Sequence, residues 1–418
     1  MIIALALIIA ASAEITNERV VREIDIHGNI AYAHYLIAFV ESEIGQSLSS
    51  YSFRLEFPIE TVASISFWLG DTQLDYTTDD RKKNYAIQIP SKIKGGNKVT
   101  LEAQILVINW PKPKPKEVLQ DMRQGAYVDG NAQFSSPYAT TLDELYIIIN
   151  NRKYLKHSEN LQFNEDNQTF SLRSVNVKPG KIESYFINYL CPIPFVRVTR
   201  SVKEIIAHNR LPFVVREHYE VKNDGAKFIG EYNRFKTMVQ RNQESGQIEE
   251  FILEIPHGAA SFEYRDETGN ISSSQVFRTP VSTQLRLLPR FDMLGQWKNA
   301  FDVGYTAPGQ EYEVSKDALK QYESIPDRER VLLLSIAPSM QNAPTDEIEL
   351  RVALPEGARD VVIGQCKKKN EPKSSSIGII TRIWKGGIYE SLDKVKQWRF
   401  DDAEGPTAGK EDEITHST

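Results

Sequence analysis

Apolar and polar residues alternate with a period of two along most of this chain. In YSFRLEF, Tyr51, Phe53, Leu55 and Phe57 fall on one side and Ser52, Arg54 and Glu56 on the other, the pattern of a strand with one buried face. VTLEAQILV sets Val99, Leu101, Ala103, Ile105 and Val107 inward, and EIELRVALP does the same with Ile348, Leu350, Val352 and Leu354. Turn-forming runs separate such segments: KGGN at 94–97, NDG at 223–225 and EGARD at 356–360, at the spacing of antiparallel sandwiches. Helical periodicity is scarce. PKEVLQDMRQG puts Val118, Leu119 and Met122 on one face, and VSKDALKQYESI spaces Val314, Ala318 and Tyr322 four apart, so both read as short connecting helices. WPKPKPKE (110–117) carries three prolines, which remove three ladder donors and predict a rigid connection instead of an inner strand. The predicted fold class is mainly β: two tandem antiparallel β-sandwich-like domains, a few short helices and a disordered C-terminal tail.

No fixed-period repeat is visible. The change from one sandwich to the next is placed at the hairpin-like turn in KNDGAKFIGEYNRF, after the strand pattern FVVREHYEV. The expected organisation is 1–13 as signal peptide, 14–225 as an N-terminal β-rich domain, 226–365 as a second sandwich and 366–418 as a divergent tail. MIIALALIIAASA is an apolar run ending in small residues at Ala11 and Ala13, which predicts cleavage before Glu14. It has no Lys or Arg at its start and is too short to cross about 30 Å of hydrocarbon. CKKKNEPKSSS and DDAEGPTAGKEDEITHST have the composition of disorder. The apolar part of SIGIITRIW falls far short of the roughly 20 residues a spanning helix needs. The reading therefore gives the chain no membrane span of its own after signal cleavage.

The 418 residues are 41% apolar and 25% charged, enough for two or three domains, and the net charge of −6 comes from mixed signs. No basic face is advertised, so nucleic acid is not an expected partner. Two cysteines, Cys191 and Cys366, are too few for a disulfide scaffold, and nothing in the pattern supports a bridge between them. The seven histidines form no His-x-x-x-His pair and no zinc-type cysteine pair exists, so neither metal nor cofactor is expected. There is no Gly-x-Ser-x-Gly elbow, His-Glu-x-x-His or phosphate-cradling glycine loop, and hence no expected catalytic residue. His257, in IPHGAASF, reads as a structural histidine at a strand end.

EYRDETGNISSSQVF (263–277) is a charged stretch between two β-type runs that invites a chemical reading. Arg265, Asp266 and Glu267 are adjacent, so their side chains diverge, and with Thr268, Gly269 and Asn270 they read as a polar turn between strands around Phe262 and Val276. Two Asn-x-Ser/Thr triplets, Asn270-Ile271-Ser272 and Asn167-Gln168-Thr169, are acceptors of N-linked glycan in a chain that enters the secretory pathway. Trp297 in GQWKN and Trp68 in FWLGD are turn-adjacent aromatics. They are candidates for partner contact, with core packing as the competing role. The pattern argues for recognition or assembly over bond-making.

NERVVREIDI (17–26), FSSPYATT (134–141), EYRDETGNISSS (263–274), LRLLPRFDMLGQWKNAFDVGYTAP (285–308) and ALPEGARDVVI (353–363) together resemble the ribophorin I family, a subunit of the endoplasmic-reticulum oligosaccharyltransferase. The likeness covers residues 15 to 365 and is most specific at Pro289, Arg290, Phe291, Gly295, Trp297, Gly304 and Tyr305. It implies two lumenal β-rich domains, akin to the non-catalytic sandwich domains of large aminopeptidases. It also implies an accessory role in the endoplasmic-reticulum lumen, with the active site on another subunit that transfers oligosaccharide from dolichyl diphosphate to Asn. The implied partners are the other subunits, including the catalytic one, and nascent glycoprotein substrates. The family's glycosylated sequon maps onto Asn270. Family members continue into a transmembrane helix and a cytosolic region; the pattern after residue 365 predicts neither here, so the chain reads as a truncated or alternatively spliced form, a gene model that left the reading frame, or a lumenal variant held only by partners. Two alternatives stand beside it: a secreted soluble β-sandwich binding protein, since the chain ends ITHST without a retention signal, and an independent peptidase or glycosidase.

Overall fold

A computed structural model describes residues 15–41, 49–90, 97–120, 122–150, 153–208, 212–235, 246–312, 332–355, 358, 364–366 and 378–381. The apolar run 1–13, the helix expected over 314–325 and most of 366–418 lie outside them. Alternation becomes strand almost throughout, because every second side chain can be buried while the backbone pairs with its neighbours. Val99–Ile108, for instance, alternates buried and open positions along its whole length. Among the described residues two single-turn 3-10 helices, Ile59–Thr61 and Gly309–Glu311, interrupt the strands. The chain forms two units, one made of residues 1–112 and 125–190, the other of 113–124 and 191–418.

The first unit begins with β1 (Ile15–His27), β2 (Ile30–Glu41), β3 (Ser50–Arg54), β4 (Val62–Leu69), β5 (Thr72–Gln73), β6 (Tyr76–Thr78), β7 (Asn84–Gln88) and β8 (Val99–Ile108). After β9 (Lys112–Pro113), and after β10 (Glu117–Val118), which belongs to the second unit, follow β11 (Gly125–Asn131), β12 (Ala139–Ile148), β13 (Tyr154–His157), β14 (Gln162–Asn164), β15 (Thr169–Val177) and β16 (Ser184–Leu190). The main sheet has the order β14-β15-β12-β1-β2-β8-β4-β5. Smaller sheets β3-β7-β6 and β13-β16-β11-β9 accompany it. Tyr35, Phe53, Phe67, Tyr85 and Phe134 form an aromatic cluster in the core. Burying each such ring stabilises by about 1.5–3 kcal/mol.

The second unit contains β17 (Val196–Ile206), β18 (Phe213–Asn223), β19 (Lys227–Phe228), β20 (Phe251–Pro256), β21 (Ala260–Asp266), β22 (Gly269–Asn270), β23 (Ser274–Arg278), β24 (Ser282–Leu287) and β25 (Lys298–Ala307). It ends with β26 (Leu332–Ser335), β27 (Ile348–Ala353), β28 (Gly364–Cys366) and β29 (Gly378–Thr381). Its main sheet runs β27-β17-β18-β25-β21-β22, beside β20-β24-β23 and β26-β29-β28.

The two units repeat one topology. In each, the first two strands pair antiparallel (β1 with β2, β17 with β18) and a late strand returns parallel to the first (β12 on β1, β27 on β17). The second strand is followed in space by β8-β4-β5 in one unit and β25-β21-β22 in the other, and the small sheets β3-β7-β6 and β20-β24-β23 correspond strand for strand. Both first strands even bulge at the same place, between Asn17 and Arg19 and between Val198 and Arg200. The sequence shows none of this, because topology needs only the alternation and not the identity of residues.

One expectation changes. The run PKEVLQDMRQG does not form a helix: Glu117–Val118 pairs in parallel with Lys227–Phe228, Val118 is buried, and the remaining helix-like feature is one turn, Met122 N donating to Leu119 O at 3.1 Å. A tertiary partner strand outweighs weak local propensity here. The two compact units divide at 190/191, and the turn at 223–225 lies within the second. Asn223, in the expected boundary turn, is fully buried and its side-chain amide donates to Gly246 O and Met293 O at 2.8 and 3.0 Å. Those bonds knit the turn into the second unit.

Candidate functional site

Charged residues at inward positions are the first places to look for chemistry, because burying a charge without a partner is costly. In the first unit Arg22, on the inner face of β1, uses all five guanidinium donors. Nε and Nη2 donate to Asp143 at 3.1 and 2.9 Å, Nη1 to Glu56 and Asn131 O at 3.0 Å each, and Nη2 to Ala132 O at 2.7 Å. The carboxylates are satisfied in turn: Phe134 N donates to Asp143, and Ser135 N and Tyr35 Oη donate to Glu56. Burial opposes the Arg22 charge, but Glu56 and Asp143 outweigh it and raise its pKa. Burial likewise raises the Glu56 carboxyl, an effect that Arg22 and the Ser135 N–H only partly offset.

The second unit has its own version. Glu217 on β18 is fully buried and lies 3.5 Å from Lys203 Nζ on β17. It accepts from Tyr305 Oη at 2.9 Å, from Ser339 Oγ at 2.6 Å, from Ser339 N at 3.1 Å and from the Tyr219 hydroxyl. Burial alone would raise its pKa, yet Lys203 and these donors hold it below the usual carboxylate value. Both networks are sealed in cores, so they brace sheets and cannot meet a substrate. Sequence reasoning missed them, although a charge at an inward position of a period-two run, as in VVREIDI, is the signal that could have found them.

The surface features lie elsewhere. β21 and β22 form a hairpin closed by the Asp266–Gly269 pair, with Arg265 opposite Asn270. Asp266 Oδ1 accepts from the N–H groups of Thr268 and Gly269 at 3.0 Å each, and Gly269 has φ +135°, a conformation that excludes most side chains. Arg290 donates to both Asp266 oxygens at 2.8 Å. These Arg290 bonds, against slight desolvation and helped by the turn N–H groups, lower the Asp266 pKa to about 2. Asp266 is therefore a turn-former locked by an arginine, and Glu267 is an exposed turn residue. Asn270 is exposed on the outermost strand of the sheet.

Arg290 leads directly into Phe291, whose ring lies 6.4 Å from that of Trp297; Tyr232 and Phe228 approach Trp297 at 5.4 and 6.1 Å. Trp297 is half-buried against the core, while Phe291 is 53% exposed. The hairpin carrying Asn270 and the aromatic group around Trp297 are thus joined through two consecutive residues. Asn167 and Trp68 are not brought together: Asn167 is exposed in the turn between β14 and β15, and Trp68 is half-buried on β4, six strands away in the sheet order. Trp68 Nε1 donates to Ser66 Oγ at 3.1 Å. His257 is exposed, with Nδ1 3.1 Å from Thr279 O. Among the described residues no group of three or more His, Cys, Asp or Glu is placed to hold a metal.

The family description that matches, Ribophorin I, covers residues 15–375. The chain belongs to the ribophorin I family. Relatives include dolichyl-diphosphooligosaccharide–protein glycosyltransferase subunit 1A of Arabidopsis thaliana, 25% identical over 304 residues (71% of this chain, 48% of the relative). Subunit 1 of Caenorhabditis elegans is 26% identical over 235 residues (56% and 40%), and subunit 1 of Schizosaccharomyces pombe 24% over 329 residues (74% and 72%). The chain spans about half the length of the first curated relatives it matches. Among solved structures, yeast LTA4 hydrolase matches with a TM-score of 0.29 and 7% identity over 46% of this chain and 31% of that one. An M1 zinc metallopeptidase from Deinococcus radiodurans gives 0.26 and 10% over 48% and 49%. These likenesses are too slight to bear on function. In this ribophorin I family member no helix of the described residues is long and apolar enough to cross a membrane.

Proposed function

We propose that this chain is a non-catalytic, lumenal member of an oligosaccharyltransferase complex, one that supports assembly with the other subunits, including the catalytic one, and helps present nascent glycoproteins. Family membership supports the complex, since the relatives carry the name of its subunit 1. The observation that carries the accessory role is the placement of the strong ionic groups. Arg22, Asp143 and Glu56 in one unit, and Lys203 and Glu217 in the other, are at most 9% exposed and bonded to structural partners. On this reading the two units are two lumenal β domains, and the surface beside Trp297 is a candidate contact for a partner.

The test is recovery from the membrane. A tagged chain purified from gently solubilised microsomes should bring the catalytic subunit with it, and consistent failure to do so overturns membership. The accessory role has a separate check: purified chain, given lipid-linked oligosaccharide and an Asn-x-Thr peptide, should transfer nothing, and turnover would make it catalytic.

A further inference from the structure

The Asn167-Gln168-Thr169 triplet lies at the end of the first unit's main sheet, in a four-residue turn, 165–168, that joins β14 to β15 and is closed by the Asn164–Thr169 pair. Asn164 Oδ1 accepts from Asp166 N at 2.9 Å, and Gln168 Nε2 donates to Glu165 O at 2.9 Å. Those bonds define the turn and leave the Asn167 side chain exposed to solvent. Thr169 is different: it is buried, and its hydroxyl donates to Asn167 O at 3.0 Å. In the other triplet both Asn270 and Ser272 are exposed.

From this contrast we infer that Asn167 carries an N-linked oligosaccharide attached before the β14–β15 hairpin closes. Acceptors must have Ser or Thr two residues after Asn, so the transferring enzyme reads that hydroxyl as well as the amide. In the folded chain Thr169 is buried and its hydroxyl is committed to the Asn167 carbonyl, so it is not offered to an enzyme. The segment is acceptable only while it is extended. The donor is an oligosaccharide on a polyprenyl diphosphate: the Asn167 amide nitrogen bonds to the anomeric carbon, the carbon–oxygen bond to diphosphate breaks, diphosphate leaves with the electron pair, and the amide proton passes to a base of the enzyme. The attached glycan then sits beside β14, the three-residue strand that ends the sheet. There it covers an edge that would otherwise be open to strand addition.

The inference rests on the lumenal reading, and the test separates the two. The full chain is produced in a eukaryotic secretory host and treated with peptide N-glycosidase in heavy-oxygen water, which marks each formerly glycosylated Asn as labelled Asp. Label at both 167 and 270 is expected, and Asn167→Gln should lower the intact mass of the untreated chain by one glycan. Label at 270 alone defeats the inference and leaves the lumenal reading standing; label at neither defeats both. For the timing, unglycosylated folded chain is offered to microsomal enzyme with lipid-linked oligosaccharide. Modification confined to Asn270 is expected, with Asn167 becoming a substrate only after unfolding. Transfer to Asn167 in the folded chain overturns the order of events.

Discussion

Arg22 and Lys203 occupy the same register position in two sheets of the same strand order. Each is three residues past the bulge on the first strand, opposite Tyr35 or Glu217 on the second strand and beside Leu145 or Leu350 on the parallel one. The position of a buried cation is repeated, while its counter-charges are not. Asp143 and Glu56 come to Arg22 from a neighbouring strand and a loop, whereas Glu217 reaches Lys203 from the paired hairpin strand.

Removing the second cation leaves the buried Glu217 carboxyl without its cationic partner. Lys203→Met is expected to destabilise the second unit by about 3–5 kcal/mol, the usual cost of breaking a buried pair. Urea unfolding followed by tryptophan fluorescence measures it, and a loss under about 1 kcal/mol would show that the pair does not support the sheet.

At Arg22 the geometry matters as much as the charge. Arg22→Lys keeps the cation but has three donors for five sites and cannot grip Asp143 with two parallel bonds. The expected order of stability is wild type, then Arg22→Lys, then Arg22→Met, with about 2 kcal/mol for the first step. Arg19→Ala, which breaks a pair at a residue 57% exposed, should stay within about 1 kcal/mol. Equal losses for Arg22→Lys and Arg19→Ala would contradict this ranking.

The Asp266–Arg290 pair gives a pH signature. Asp266 titrates near 2 in the folded chain, below about 3.9 for an unfolded Asp. The folded state is therefore favoured above pH 4, and this contribution is lost as pH falls from 4 toward 2. Arg290→Ala should move the Asp266 titration, followed by carboxyl NMR, up toward 4 and shrink that pH dependence. An unchanged titration would mean that the turn N–H groups alone set it.

Gly295 has no room for a side chain: a Cβ there would meet Ala226 O at 1.7 Å. The obstacle is backbone, so relief requires moving the chain that leads into β19. Gly295→Ala should cost at least about 1–3 kcal/mol, the range for overpacked sites. A thermal melt as high as wild type would refute the close approach.

The strands were readable in the sequence because alternation is a local property. Tyr51 and Phe53, or Leu101 and Ala103, announce a buried face from their spacing alone, and both runs are strands with those residues buried. Asp266 in its polar turn was legible for the same reason, since Asp-x-Thr-Gly carries its own hydrogen bonds. The Arg290 clamp was not, because it joins residues 24 apart in the chain. The short strand at Glu117–Val118 was misread as helix because its partner, Lys227–Phe228, lies more than a hundred residues away.

Taken by itself, the amino-acid order determined the β class, the turns and the family of this protein, since each depends on neighbours along the chain or on short signatures. Only the tertiary structure decided where the chain divides, that its two units repeat one topology, and which carboxylates neutralise Arg22 and Lys203. Those outcomes depend on which strands meet across long separations, and strand pairing is chosen by the burial of whole faces, a quantity that no single segment contains.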